Sequence, residues 1–347
     1  MDMKNVRQKA LLCCIFLLCL FFASAEIALR KAGHEPWRSK ETDIVIEPGG
    51  KFITKDPVLG YKNPPGRFKL SMPYPPYSVS VTILENNRRI TRPLSAYDKP
   101  YNKKEIWIFG GSFTYGWLVN DKETYPWLVQ EGFPDYEVVN FGVNGYGTLH
   151  SLLQLQGALK TGGRPELAIL AYASFHDQRN TFCRSRLKAF RRRSFLDGFS
   201  HPYARIDREG RVSYQSSGRS YNAPPFIGHS SFINWLDNQY NRIERYFYHN
   251  REVSKLLIKE FSGLCSDNAI RFVVAGIWSD PLTYDMLEYC KEQGIATVDI
   301  SVELDNETTF RPHDGHPNAL AHKKIAYKLI TFLEGFLDRS IVYNPDS

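Results

Sequence analysis

The sequence predicts an α/β fold: a parallel sheet covered by helices on both faces, entered through an apolar N-terminal segment and a small β-rich lead-in. Three observations carry that expectation. From residue 105 onward, short apolar β-prone runs alternate with amphipathic helical stretches. Glycines follow the first two of those runs, at Gly110-Gly111 and at Gly142. Residues 32–104, by contrast, are rich in Pro, Gly and short β-prone pieces. At 347 residues, 43% hydrophobic and 23% charged, the chain is long and apolar enough to bury a large core.

Residues 1–9 are polar and basic, and Ala10–Ala25 is an unbroken apolar run. Ala23-Ser24-Ala25 has the small-x-small form a signal peptidase reads, which would give a secreted product. Ile27, Ala28 and Leu29 extend the run past Glu26 before Arg30 and Lys31 close it, which favours an uncleaved anchor over residues 1–30. The basic start places the N-terminus inside and the rest of the chain outside the cytoplasm. Residues 31–104 read as linker and lead-in, with Tyr77–Ile83 as a strand. A catalytic-type domain follows over 105–340. Its expected elements are strand Glu105–Phe109, helix 114–131, strand Tyr136–Phe141, helix Leu149–Leu159 and strand Glu166–Tyr172. Residues 180–250 break the alternation and read as an insertion with a hairpin turning at Glu209-Gly210. Helix 251–266, strand 270–277, helix 281–293, strand 296–301 and a last helix from Pro317 to about Leu337 complete it. In such a sheet the site lies at the carboxyl ends of the strands.

A formal charge of +7 is mild, and no reading motif accompanies it, which excludes a nucleic-acid binder. Its mid-chain concentration at Arg184, Arg186, Lys188, Arg191, Arg192 and Arg193 reads as a solvated loop or as a surface for an anionic substrate, partner or lipid headgroup. Three of the six cysteines (Cys13, Cys14, Cys19) lie in the apolar run; Cys183, Cys265 and Cys290 are too widely spaced for a disulfide framework or a metal site.

Three segments carry the chemistry. In Gly110-Gly111-Ser112-Phe113-Thr114-Tyr115-Gly116 the glycines allow a sharp exit from a strand, presenting Ser112 near a helix N-terminus. Read alone, Ser112 is better explained as a helix cap. Asn140–Thr148 places three glycines, at Gly142, Gly145 and Gly147, after a strand, where backbone can approach a ligand. The spacing is not that of a dinucleotide fingerprint, and a plain turn explains it equally. In His313-Asp314-Gly315-His316-Pro317-Asn318, a tight turn lets the Asp314 carboxylate reach the His316 imidazole, the base and orienter a serine nucleophile requires. A capping Asp beside a surface His is the simpler alternative.

Together these segments resemble the SGNH/GDSL hydrolase superfamily, in the form of its exported or membrane-anchored bacterial-type members. The first block falls on Gly110-Gly111-Ser112, the second-block glycine on Gly145, and the last block, D-G-H-x-N-x-x-x-H, on Asp314, His316, Asn318 and His322. The likeness covers residues 105–180 and 250–337, and extends to Ala25–Arg30, which again favours an anchor. It implies a flavodoxin-like three-layer α/β/α sandwich, needing no metal or organic cofactor. It also implies a triad of Ser112, His316 and Asp314, with an oxyanion hole formed by the backbone of Ser112 and Gly145 and the side chain of His176. Two positions depart from the family pattern. The usual Asp before the serine is Gly111, a change expected to act on turn geometry, and the third block reads Ser174-Phe175-His176-Asp177, with His176 where an asparagine donates. His176 can donate from one ring nitrogen or be structural.

The implied activity is a serine esterase or O-acyltransferase working on an acylated glycan or another ester, anchored in the inner (cytoplasmic) membrane and facing the periplasm. The alternative is a catalytically silent SGNH-like scaffold in envelope polysaccharide assembly.

Overall fold

The structure, a computed structural model, describes residues 3–38, 44–49, 52–72, 76–97, 103–190 and 199–338. They form two compact units. One lies within Met1–Glu41, Cys183–Asp197 and Arg219–Phe247, the other within Thr42–Phe182, Gly198–Gly218 and Tyr248–Ser347.

The larger unit is a three-layer α/β/α sandwich on five parallel strands: β1 (Lys104–Phe109), β2 (Tyr136–Asn140), β3 (Leu167–Tyr172), β4 (Arg271–Gly276) and β5 (Ala296–Asp299). Their spatial order is β2-β1-β3-β4-β5, the flavodoxin-like order, whose switch point lies between β1 and β3. Period-two alternation sends β1 side chains to opposite faces. Trp107 and Phe109 pack with Leu149, Leu152, Leu257, Phe261 and Met286, on helices Thr148–Lys160, Asn250–Asp267 and Pro281–Glu292. Ile106 and Ile108 pack with Tyr125, Val129, Ile325, Leu329 and Leu333, on helices Tyr125–Gly132 and Ala319–Asp338.

The lead-in strands Val45–Glu47, Gly66–Met72 and Tyr77–Ile83 form an antiparallel sheet of their own. Leu70, Val79 and Val81 from it pack against Tyr115 and Leu118, just after the Ser112 turn. Between sheet and turn lies Arg89, fully buried. Its guanidinium donates to Asp121 (2.9 Å) and to the carbonyls of Tyr115 (2.8 Å), Gly116 (2.5 Å) and Val119 (2.7 Å). The hairpin predicted around Glu209-Gly210 is present, pairing His201–Ile206 with Val212–Ser217.

Two expected elements differ. In place of one helix over 114–131 there are a turn of helix at Ser112–Tyr115, a 3₁₀ turn at Asp121–Glu123 and a helix at Tyr125–Gly132. Gly116 ends the first in the left-handed region, at φ +82°, and a side chain there would strike Thr124 and Arg89. Asn120 and Thr124 then cap new starts. Nor does the last helix open at Pro317. Asp314–Pro317 is a short strand paired with Thr309–Phe310, and Asn318 caps the helix by accepting from the Ala321 N–H at 3.2 Å.

The smaller unit contains helix Met3–Lys31, long and apolar enough to cross a membrane, with its apolar window exposed. Helices Arg184–Phe190 and Ser231–Phe247 also belong to it, both unforeseen from the sequence. Lys188 and Arg184 do not lie in a solvated loop: both pair with the buried carboxylate of Asp237, at 2.7 and 3.0 Å. Arg191, Arg192 and Arg193 lie outside the described residues.

Candidate active site

β1 is buried from Ile106 to its end at Phe109, and the chain turns at Gly110-Gly111 to leave the sheet. Gly111 has φ −94°, a value open to any residue, so its glycine is not required by backbone strain. Space is the reason: a Cβ there would lie 2.8 Å from Arg179 Nη1 and 3.0 Å from the Tyr146 carbonyl oxygen. The expectation that Gly111 acts on turn geometry is thereby replaced by one of close approach.

From that turn Ser112 faces the segment before the last helix. Its Oγ is 2.9 Å from His316 Nε2, while His316 Nδ1 is 2.5 Å from Asp314 Oδ1. The carboxylate also accepts from the His316 backbone N–H at 2.8 Å. With Nδ1–H held by Asp314, Nε2 carries the lone pair that accepts from the serine hydroxyl. Burial works to raise the Asp314 pKa, but the hydrogen bonds and charge of His316, with a hydrogen bond from Trp117, outweigh it and hold the carboxyl below its ordinary range. The imidazole packs edge-on to Phe113, with ring centroids 5.8 Å apart, and lies near Trp117.

Gly145, at φ +84°, and Tyr146 form the loop after β2. The approach of the Tyr146 carbonyl to Gly111 brings that loop beside the serine turn. His176, after β3, is buried, with Nε2 3.6 Å from the position a Cβ on Gly111 would take. The elements bearing Ser112 and His176 thus leave the sheet at adjacent strands, on either side of the switch point. His322 takes no part in this chain of bonds. It is fully buried, stacks on Tyr125 and accepts the Tyr125 N–H at 3.2 Å. Burial, with the nearby charges of Arg89 and His316, pushes its pKa down to about 3.

The sequence reading missed two side chains at the site. Arg179 donates to the Tyr146 carbonyl at 2.7 Å and lies over the Phe175 ring at 4.3 Å. Trp117 hydrogen-bonds Asp314. Trp117 lies five residues beyond Ser112, outside the first block, and Arg179 carried no signal beyond its charge. Among the described residues no group of His, Cys, Asp and Glu is arranged to hold a metal ion.

Neither family models nor curated proteins yield a match. Solved structures do. Among them are a lipolytic protein of the G-D-S-L family from Veillonella parvula (12% identity, TM-score 0.39, 66% of this chain and 97% of that one), TesA (11%, 0.40, 67% and 99%), and the psychrotrophic esterase EstA of Pseudoalteromonas (10%, 0.42, 68% and 100%).

Proposed function

We propose that this protein is a serine hydrolase of the SGNH/GDSL kind, an esterase or O-acyltransferase whose nucleophile is Ser112. The observation that carries the reading is the continuous chain from the Ser112 hydroxyl through His316 to Asp314, at 2.9 and 2.5 Å. His316 Nε2 takes the hydroxyl proton as Oγ attacks an ester carbonyl, and Asp314 stabilises the imidazolium that forms. The Ser112 N–H, in the first turn of its helix, has no intrahelical acceptor and is free to meet the developing oxyanion. The Gly145 N–H and the His176 ring complete that hole. His316 returns the proton to the leaving alcohol. Water or an acceptor hydroxyl, deprotonated in turn, then releases the acyl group.

The helix Met3–Lys31 anchors the chain in the cytoplasmic membrane, with the site on the outer side, where acylated glycans are the substrate class proposed. Purified protein should react with a fluorophosphonate probe, and Ser112→Ala should abolish the label. A folded wild type that takes no label would overturn the reading in favour of a silent scaffold. Release of p-nitrophenol from p-nitrophenyl acetate, with and without a glycan acceptor, separates hydrolysis from transfer.

A further inference from the structure

The helix Ser231–Phe247 is built inside out. Its buried side chains are polar: Ser231, Asp237 and Asn241. Asp237 accepts from Lys188 Nζ (2.7 Å), Arg184 Nη2 (3.0 Å) and the Tyr221 hydroxyl (2.9 Å), so the inward face is closed by a charge network rather than by an apolar core. The outward face is apolar. Leu236, Tyr240, Ile243 and Phe247 are 45%, 56%, 54% and 69% exposed. With Phe232 they recur at steps of four, four, three and four, which places them in one stripe about 22 Å long. In water a helix presents the opposite arrangement, and an apolar stripe of this length calls for an occupant.

The start of the helix identifies that occupant. Glu26, which ends the unbroken apolar run Ala10–Ala25, accepts the N–H groups of Ser231 (3.0 Å) and Phe232 (2.9 Å) and the Ser230 hydroxyl (2.8 Å). Arg30 donates to the His229 carbonyl at 2.8 Å. The first residue of the stripe, Phe232, packs against Phe21 and Phe22 of the apolar helix, with ring centroids 6.2 and 5.5 Å apart. The stripe therefore begins in contact with the apolar helix's own exposed side chains, at the level where that segment turns polar. A tyrosine and flanking aromatics (Tyr240, Trp235 and Tyr246), with Arg242 exposed at the edge, match the composition of the bilayer interface.

We propose that the helix Ser231–Phe247 lies in the interface of the bilayer entered by Met3–Lys31, with the stripe Phe232–Leu236–Tyr240–Ile243–Phe247 immersed in lipid as a second membrane contact. This inference rests on the anchor reading above, and its test separates the two. The full chain, with Cys13, Cys14 and Cys19 changed to Ala and the buried cysteines retained, is reconstituted in vesicles of phosphatidylcholine and phosphatidylglycerol. Spin labels are attached one at a time at Leu236→Cys and Ile243→Cys on the stripe, Asn238→Cys off it, and Phe16→Cys in the anchor. Relaxation is then enhanced by oxygen, which partitions into lipid, or by a water-soluble nickel chelate. Labels at 16, 236 and 243 should show an oxygen-to-nickel ratio several-fold above that at 238.

If 236 and 243 match 238 while 16 stays lipid-like, the interfacial helix is refuted and the anchor stands. If 16 is also nickel-accessible, the anchor reading fails and the inference with it. Protection from both reagents with spin–spin broadening would mean that a second copy covers the stripe, which also refutes the lipid contact. Each variant is admitted only when its circular dichroism matches the wild type, and Tyr240→Cys replaces either stripe position that fails.

Discussion

Arg89 offers the sharpest test of how the lead-in supports the candidate site. Its side chain is fully buried and its partner Asp121 is 11% exposed, so replacement by Met leaves a nearly buried carboxylate uncompensated. That loss costs about 3–5 kcal/mol. The carbonyls of Tyr115, Gly116 and Val119 lose their donor at the same time, at about 1 kcal/mol each where water cannot replace it. The sum, about 6–8 kcal/mol, is comparable to the whole stability of an ordinary domain. Arg89→Met is therefore expected to unfold the larger unit or to lose most of its urea resistance, followed by tryptophan fluorescence in detergent. Adding Asp121→Asn removes the stranded charge and should return about 2–3 kcal/mol. Arg89→Lys, which retains the charge but not the fork, should fall between wild type and Arg89→Met. A loss under about 1 kcal/mol for Arg89→Met, or no recovery in the double variant, would refute the reasoning.

Further expectations follow from the site and its surroundings. Asp314→Asn leaves the imidazole without the acceptor that fixes its tautomer, so kcat on p-nitrophenyl acetate should fall by about 10⁴, as in a serine protease triad, with little change in thermal midpoint. His322 is held neutral, its pKa lowered from 6.5 to about 3, while the unfolded chain titrates near 6.5. The unfolded state thus binds the extra proton first, and stability should be full above pH 6.5 and drop by up to about 4 kcal/mol as pH falls toward 3. His322→Phe should begin less stable at neutral pH, because the Tyr125 N–H loses its acceptor, yet show a flatter acid limb in denaturation curves taken at several pH values. Gly111→Asp, which introduces the residue that precedes the serine in the SGNH/GDSL pattern the sequence resembles, meets the Tyr146 backbone at 3.0 Å. It should lower the thermal midpoint by an amount equivalent to about 1–3 kcal/mol; an unchanged midpoint would contradict the close approach.

The parallel strands were legible because strands buried on both faces appear as continuous apolar runs. Residues Glu105–Phe109, Tyr136–Phe141 and Glu166–Tyr172 each fall within a residue of β1, β2 and β3. Ser112, Asp314 and His316 stood out because turn chemistry and residue type coincide there, and the structure brings the three side chains into one hydrogen-bonded chain. The helix over 114–131 was misread because its apolar residues keep a helical period through Gly116, whose left-handed conformation only the fold reveals. Ser231–Phe247 escaped notice for the opposite reason: its period is present, but the face it buries is polar. Arg89 stood as one more charge in an exposed-looking Asn-Asn-Arg-Arg stretch, since nothing local announces three carbonyls from a loop some thirty residues away.

Ser112 and His316 are 204 residues apart in the chain, though only 2.9 Å apart in space. A contact of that separation forms late, after the intervening loops have been closed. A chain synthesised N-terminus first therefore presents Ser112 long before His316 arrives. Throughout synthesis, and in any fragment ending before Asp314, the Ser112 hydroxyl lacks its His316 partner. The order of the residues along the chain thus delays assembly of the Ser112–His316–Asp314 contact until the segment before the last helix has been made.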